Sequence, residues 1–176
     1  SILKTKNVNA HRFTINNFDG VIFLAQILNG KFRTVKIRNF HLLIQFLNKR
    51  FPNLNMIPLA IDTSPLDSNS WLSGFIDADG HFGIRPNLSS IYCYFSLVQA
   101  CEDKKGFSKK AIMQKLANFL QVPLKEISKA YCNGKNQYVV TTPKYDSNII
   151  LSTYLNRYPL FSSKYLNFEA FFKALM

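Results

Sequence analysis

The chain has 176 residues, 47% of them hydrophobic and 14% aromatic, so it can bury a core and is not a disordered basic tail. Lys and Arg number 22 against 10 Asp and Glu, a net charge of +12, and the excess is spread along the chain, with +6 in residues 1–70 and +6 in residues 71–176. Both parts can face one polyanion, and phosphate backbones are the commonest partner of a folded basic chain. Cys93, Cys101 and Cys132 form neither a CxxC pair nor a spacing to histidine that suits zinc, and they fit a reducing compartment. Gln26, Gln45 and nearby charges interrupt each apolar run before the roughly 18 residues of a membrane span, so no membrane partner is expected. The start, SILKTKNVNAHRF, carries neither an apolar secretory signal nor an Arg-rich presequence.

Residues 18–40, FDGVIFLAQILNGKFRTVKIRNF, lie over residues 145–168, YDSNIILSTYLNRYPLFSSKYLNF, with Asp19 on Asp146, Leu28 on Leu155 and Asn29 on Asn156. One inserted residue then brings Lys36 over Lys164 and Phe40 over Phe168. This is an internal repeat whose first copy starts partway through. The expected organisation is the C-terminal part of a first repeat over 1–52, a Pro-, Asn- and Ser-rich linker over 53–69, and a complete second repeat over 70–176.

The second repeat reads as helix, two strands, helix, two strands, helix. Ser70 is placed to cap a helix from Trp71 to Ala78. His81 to Arg85 and Ile91 to Glu102 alternate at period two, with Tyr92, Tyr94 and Ser96 on one side and Cys93, Phe95 and Leu97 on the other. Ser108 can cap a helix striped by Ile112, Leu116, Phe119 and Leu120, which Pro123 stops. Ile127 to Tyr131 and Gln137 to Thr142 read as a hairpin around Asn133-Gly134, and the rest is helical from Tyr145 with a break at Pro159.

The stretch Leu72-Ser73-Gly74-Phe75-Ile76-Asp77-Ala78-Asp79-Gly80 carries the most chemistry. Gly74 and Ala78 are four apart and, with Ser73, would let a second helix approach closely. Asp77 and Asp79 fall at the helix C-terminus, where the unpaired carbonyls disfavour carboxylates. Either a divalent cation such as Mg²⁺ offsets that cost, or the two acids are solvated turn residues ahead of a helix-ending Gly80.

LSGFIDADG resembles the signature of the LAGLIDADG homing endonucleases and related intron maturases, and LNGKFRTVKIRNFHLLIQFLN and YPLFSSKYLNFEAFF resemble the ends of the first and second repeats of single-chain members. The resemblance covers essentially the whole chain. It implies an α+β homing-endonuclease fold, αββαββα repeats with a saddle-shaped antiparallel sheet, in which two signature helices pair and the sheets cover a nucleic-acid duplex. By the same resemblance, Asp79 with the Gly80 carbonyl would hold Mg²⁺, Gln99 would order water, and Lys164 and its repeat mate Lys36 would stand near the scissile phosphate. Ser73, Gly74, Asp77 and Ala78 would pair the helices.

The contact candidates are His81, Arg85, Tyr92, Tyr94 and Ser96, with Lys129, Lys135, Asn136 and Gln137 on the hairpin. Lys104, Lys105, Lys109 and Lys110 form a charge cluster suited to phosphates, and Lys104 and Lys105 are among the nucleic-acid contact candidates. His11, His41 and His81 form no ligand spacing, and Ser162 and Ser163 beside Lys164 carry little weight as nucleophiles, since Thr34 and Val35 stand in their place in the first repeat. One signature is present where two acids are needed to cut both strands. The expected partners are therefore double-stranded DNA or structured RNA, and a second polypeptide or missing segment carrying the first signature helix. The expected function is metal-dependent DNA cleavage, the alternative being a non-cleaving RNA-binding member such as a group I intron maturase or a mitoribosome component. The resemblance also implies a mitochondrial location.

Overall fold

A computed structural model of the chain describes residues 2–4, 11–86, 91–128 and 135–176. They form two compact units, Ser1–Thr63 and Ser64–Met176. The first unit holds strands β1 (Ile2–Lys4) and β2 (His11–Phe13), paired antiparallel, then helices α1 (Phe18–Leu28) and α2 (Ile37–Arg50). Its small core is Ala25, Phe40, Ile44 and Leu47.

The expected linker over 53–69 is shared out between the two units. Asn29 Nδ2 donates to the Ile57 carbonyl at 2.7 Å, Asn48 brackets Met56 with bonds of 2.8 and 2.9 Å, and Arg33 pairs with Asp62 at 2.9 Å. Pro and Asn richness marked an irregular segment, but hydrogen bonds from side chains on α1 and α2 fasten it down. Beyond the boundary, Leu66 is buried in the second core and Ser64 accepts a hydrogen bond from Lys115 Nζ.

The second unit runs α3 (Trp71–Asp79), β3 (Gly80–Pro86), β4 (Ile91–Ala100), α4 (Lys110–Phe119), β5 (Lys125–Ile127), β6 (Gln137–Thr142), α5 (Tyr145–Arg157) and α6 (Lys164–Leu175). Its four strands form one antiparallel sheet in the order β3-β4-β6-β5. Period-two alternation sends Cys93, Phe95 and Leu97 into a core with Leu72 and Ile76 of α3, Leu116 of α4, Leu151 of α5 and Phe168 and Phe171 of α6. Phe82 sits within 5.3–5.6 Å, ring to ring, of Phe95, Phe168 and Phe171. Each such side chain, once buried, contributes about 1.5–3 kcal/mol. Asn148 on α5 ties the sheet together inside that core, donating to the Cys93 carbonyl at 2.9 Å and bonding to Thr142, whose Oγ1 accepts from Phe95 N–H.

Local signals placed these elements well and their ends less well. Asn69 Oδ1, rather than Ser70, accepts the Trp71 N–H at 3.0 Å, because Ser70 is not in the extended conformation that aims a capping side chain over the first turn. Ser108 does accept the Lys110 N–H, at 3.1 Å. Helix α4 ends ahead of Pro123, at a left-handed Gln121 with φ of 55°, where the Val122 N–H returns to the Ala117 carbonyl. Strand β5 begins at Lys125, two residues before the expected Ile127, and the Asn133-Gly134 turn lies outside the described residues. Among the described residues no helix is long and apolar enough to cross a membrane.

Candidate active site and nucleic-acid interface

Helix α3 buries Leu72, Ser73 and Ile76 and leaves Gly74, Ala78 and Asp79 exposed. A Cβ built on Gly74 would meet nothing within 4 Å, so this face is open. At Gly80 the opposite holds. A Cβ there would stand 2.8 Å from the Ile76 carbonyl and 2.9 Å from the Phe95 ring, and its absence lets α3 run straight into β3.

Two residues expected on the pairing face turn away from it. Ser73 lies one position from Leu72 and three from Ile76, hence on the core stripe. Its N–H donates to Tyr154 Oη at 3.1 Å and its hydroxyl to the Tyr158 carbonyl at 2.5 Å. Asp77 reaches the segment leading into α6, accepting from Ser162 Oγ at 2.6 Å and Phe161 N–H at 2.8 Å. Burial pushes the Asp77 carboxyl up, but those bonds, with the Lys164 charge, outweigh it and hold the group below its ordinary value. Lys164 returns the contact, its Nζ donating to the Ile76 carbonyl at 3.1 Å. A helix-end carbonyl and a helix-end acid thus each find a partner on the opposite element, and Asp77 needs no cation. Lys36 belongs to the first unit, exposed at the start of α2.

Asp79 is the exposed acid. Its Oδ2 accepts from Gln99 Nε2 at 2.8 Å, and Gln99 Oε1 accepts from Lys109 Nζ at 2.9 Å. An ammonium only donates, so Lys109 fixes which end of the Gln99 amide faces the acid. Asp79 Oδ1 has no hydrogen-bond partner among the described residues. In the sequence Lys109 belongs to a charge cluster, and the fold separates it from Lys104, Lys105 and Lys110, which are exposed. The loop after β4 closes on itself, with Lys109 N–H donating to the Cys101 carbonyl at 2.8 Å and Asp103 Oδ1 accepting from Lys105 and Phe107 N–H, which returns residue 109 to Gln99. No spacing in the sequence signals that return.

This donor set suits Mg²⁺, which takes one or two carboxylates and completes its shell with water and phosphate oxygens. Asp79 supplies one carboxylate, with the Gly80 carbonyl next in the chain. Among the described residues no cluster of three or more His, Cys, Asp or Glu side chains could hold a metal alone.

The sheet face away from the core carries His81 and Arg85 on β3, opposite Ser96 and Tyr92 on β4. Tyr94 is the hub of this face. Tyr92 stacks on it at 5.7 Å, the Arg85 guanidinium lies 4.9 Å from its ring centroid, and His81 stands at 6.1 Å. Gln137 shares the face at the start of β6, paired with Ala100. Lys135 and Asn136 are exposed just before it, and Asn136 contacts Glu126 at 3.4 Å. Lys129 lies outside the described residues. Sequence reasoning passed over Lys125, which pairs with Val139 across from the outward-facing Val98 and adds a cation to the same face.

The sequence pattern of the LAGLIDADG endonuclease family matches residues 72–175. The intron-encoded DNA endonuclease aI3 of Saccharomyces cerevisiae is 30% identical, over 95% of this chain and 48% of its own length. A cox1 intron-2 protein of Schizosaccharomyces pombe is 26% identical over 99% of this chain and 52% of its own. The chain thus spans about half the length of these relatives. Among solved structures, the LAGLIDADG homing endonuclease I-GzeII in complex with its DNA target shares the fold, with a TM-score of 0.50 at 18% identity over 74% of this chain and 43% of that one. By sequence pattern and by fold, this chain belongs to the LAGLIDADG endonuclease family.

Proposed function

We propose that this chain is one half of an intron-encoded homing endonuclease that binds duplex DNA on its open sheet face and hydrolyses phosphodiester bonds at Asp79. The observation that carries the reading is the chain of bonds from Lys109 through Gln99 to an exposed Asp79 at the end of the signature helix. Mg²⁺ held at Asp79 and the Gly80 carbonyl would supply Lewis-acid stabilisation of charge on the phosphate. Gln99 keeps the Asp79 carboxylate oriented, and its Oε1 retains a lone pair for a water. Lys109 places a positive charge beside the reacting centre, where charge develops in the transition state. Lys164, bonded to the Ile76 carbonyl, holds the end of the signature helix in position.

A first signature helix would complete the first repeat, whose C-terminal part is residues 1–52. Leu151, Tyr154 and Leu155 are buried against the sheet of the second unit, whereas their repeat counterparts Leu24, Ile27 and Leu28 are 37%, 50% and 39% exposed. The open Gly74 and Ala78 face then receives the first signature helix. The cox1 intron relative favours a mitochondrial setting.

The test is cleavage by the full-length protein with Mg²⁺ on duplexes selected from a random library. Asp79→Asn is expected to abolish cutting while leaving binding within a few-fold. Equal cleavage by the variant would remove the catalytic assignment, and selection of structured RNA over duplex DNA would replace the nuclease reading with the RNA-binding one.

A further inference from the structure

The open sheet face contains a small assembly whose parts depend on one another. Tyr94 stands directly across from Gly83 in the β3–β4 register. An added Cβ at Gly83 would lie 2.2 Å from Tyr94 Cζ and 2.6 Å from its Oη, so the ring occupies the space that any other residue at 83 would fill. Lying flat over β3, the ring meets Arg85 two residues further along the same face. The guanidinium carbon is 4.9 Å from the ring centroid and Nη2 donates to Tyr94 Oη at 3.3 Å. Tyr92 backs the ring at 5.7 Å with planes 24° apart.

We propose that Gly83, Tyr94 and Arg85 form a preorganised guanine reader, in which Gly83 lets Tyr94 lie flat and the flat ring holds the Arg85 fork for the major-groove edge of one guanine. The inference rests on the DNA-binding reading and deepens it. A flexible ammonium serves a phosphate, which presents charge in many directions. The base edge of guanine offers O6 and N7 side by side, and a planar fork held in orientation matches it. Arg85 is held by a neutral ring, one N–H is committed to Tyr94 Oη, and the remaining in-plane donors stay available. Immobilising the side chain before binding also removes part of the entropy otherwise lost on contact. Arg85 is the base-contacting residue here, whereas Gly83 and Tyr94 are positioning residues.

The experiment compares base preferences of the full-length protein and three variants by selection from a random duplex library, followed by binding to four duplexes that differ at one base pair. Wild type is expected to require guanine at one position. Arg85→Lys, which keeps the charge and loses the fork, is expected to relax that position by roughly 5- to 100-fold and leave the others unchanged. Gly83→Ala, which displaces Tyr94 while Arg85 remains, is expected to relax the same position, and Tyr94→Leu provides the same displacement without crowding. A uniform loss on all four duplexes with a shallower salt dependence in Arg85→Lys would make Arg85 a phosphate contact and overturn the proposal. So would an unchanged guanine preference in both Gly83→Ala and Tyr94→Leu. Loss of duplex binding by the wild type itself would instead sink the DNA-binding reading.

Discussion

Removing the Asp77 carboxylate should loosen the end of the signature helix without touching Asp79, the proposed catalytic acid, two residues away. Asp77→Ala deletes bonds from Ser162 Oγ at 2.6 Å and Phe161 N–H at 2.8 Å, and a weaker one from Ser162 N–H at 3.4 Å. Hydrogen bonds to a charged group contribute about 1.5–3 kcal/mol each when shielded. These bonds lie near the surface, where water replaces them and screens the charge, so the combined loss is about 1–2 kcal/mol. The assay is urea unfolding of variant and parent at several pH values. Because the folded-state pKa of Asp77 lies below its ordinary value of 3.8, its contribution is fully present above that value and lost as pH falls through the lowered one. The gap between the two proteins is therefore expected to be largest near neutral pH and to shrink in strong acid. A gap of the same size at pH 7 and in strong acid, or none at pH 7, would refute the ionised latch. Asp77→Asn should keep its Mg²⁺-dependent cleavage, which separates its role from that of Asp79.

Replacing Lys109 by Met should lower single-turnover cleavage by about 10²-fold, the size of losing one donor at a developing charge, with the unfolding midpoint little changed. Unchanged cleavage would place Lys109 outside the reaction. Gly74→Leu meets open space and replaces a poor helix former, so unfolding of this chain should shift by no more than about 1 kcal/mol in the stabilising direction. The same substitution should prevent assembly with the first signature helix, read as lost cleavage and a smaller native mass, and an intact, active assembly would show that this face is not the pairing surface. Neutralising Lys104 and Lys105 together should reduce the salt slope of duplex binding by up to about two, without altering base preference. An unchanged slope would assign both to solvation.

Much of this molecule is legible in its sequence. The alternation of Cys93, Phe95 and Leu97 with Tyr92, Tyr94 and Ser96 assigned both faces of β4, because a strand's side chains alternate whatever it pairs with. The signature stretch pointed to two acids, Asp77 and Asp79, at a helix C-terminus, and the repeat of 18–40 in 145–168 anticipated two consecutive helices in each unit. These are short-range features, set by periodicity and by the chain's own covalent geometry.

The sequence could not show which polar groups meet across long separations. Ser73 and Asp77 both looked like members of a pairing face, and only their bonds to the end of α5 and to the segment leading into α6 turned them away from it. Lys109 was one lysine in a cluster until the loop closing on Cys101 carried it to Gln99 and through it to Asp79. The segment expected to be a linker was secured by Asn29, Asn48 and Arg33, residues 8 to 30 positions away. A side chain's hydrogen-bond partner depends on where the backbone returns, and that is settled when the sheet and its covering helices close around one core.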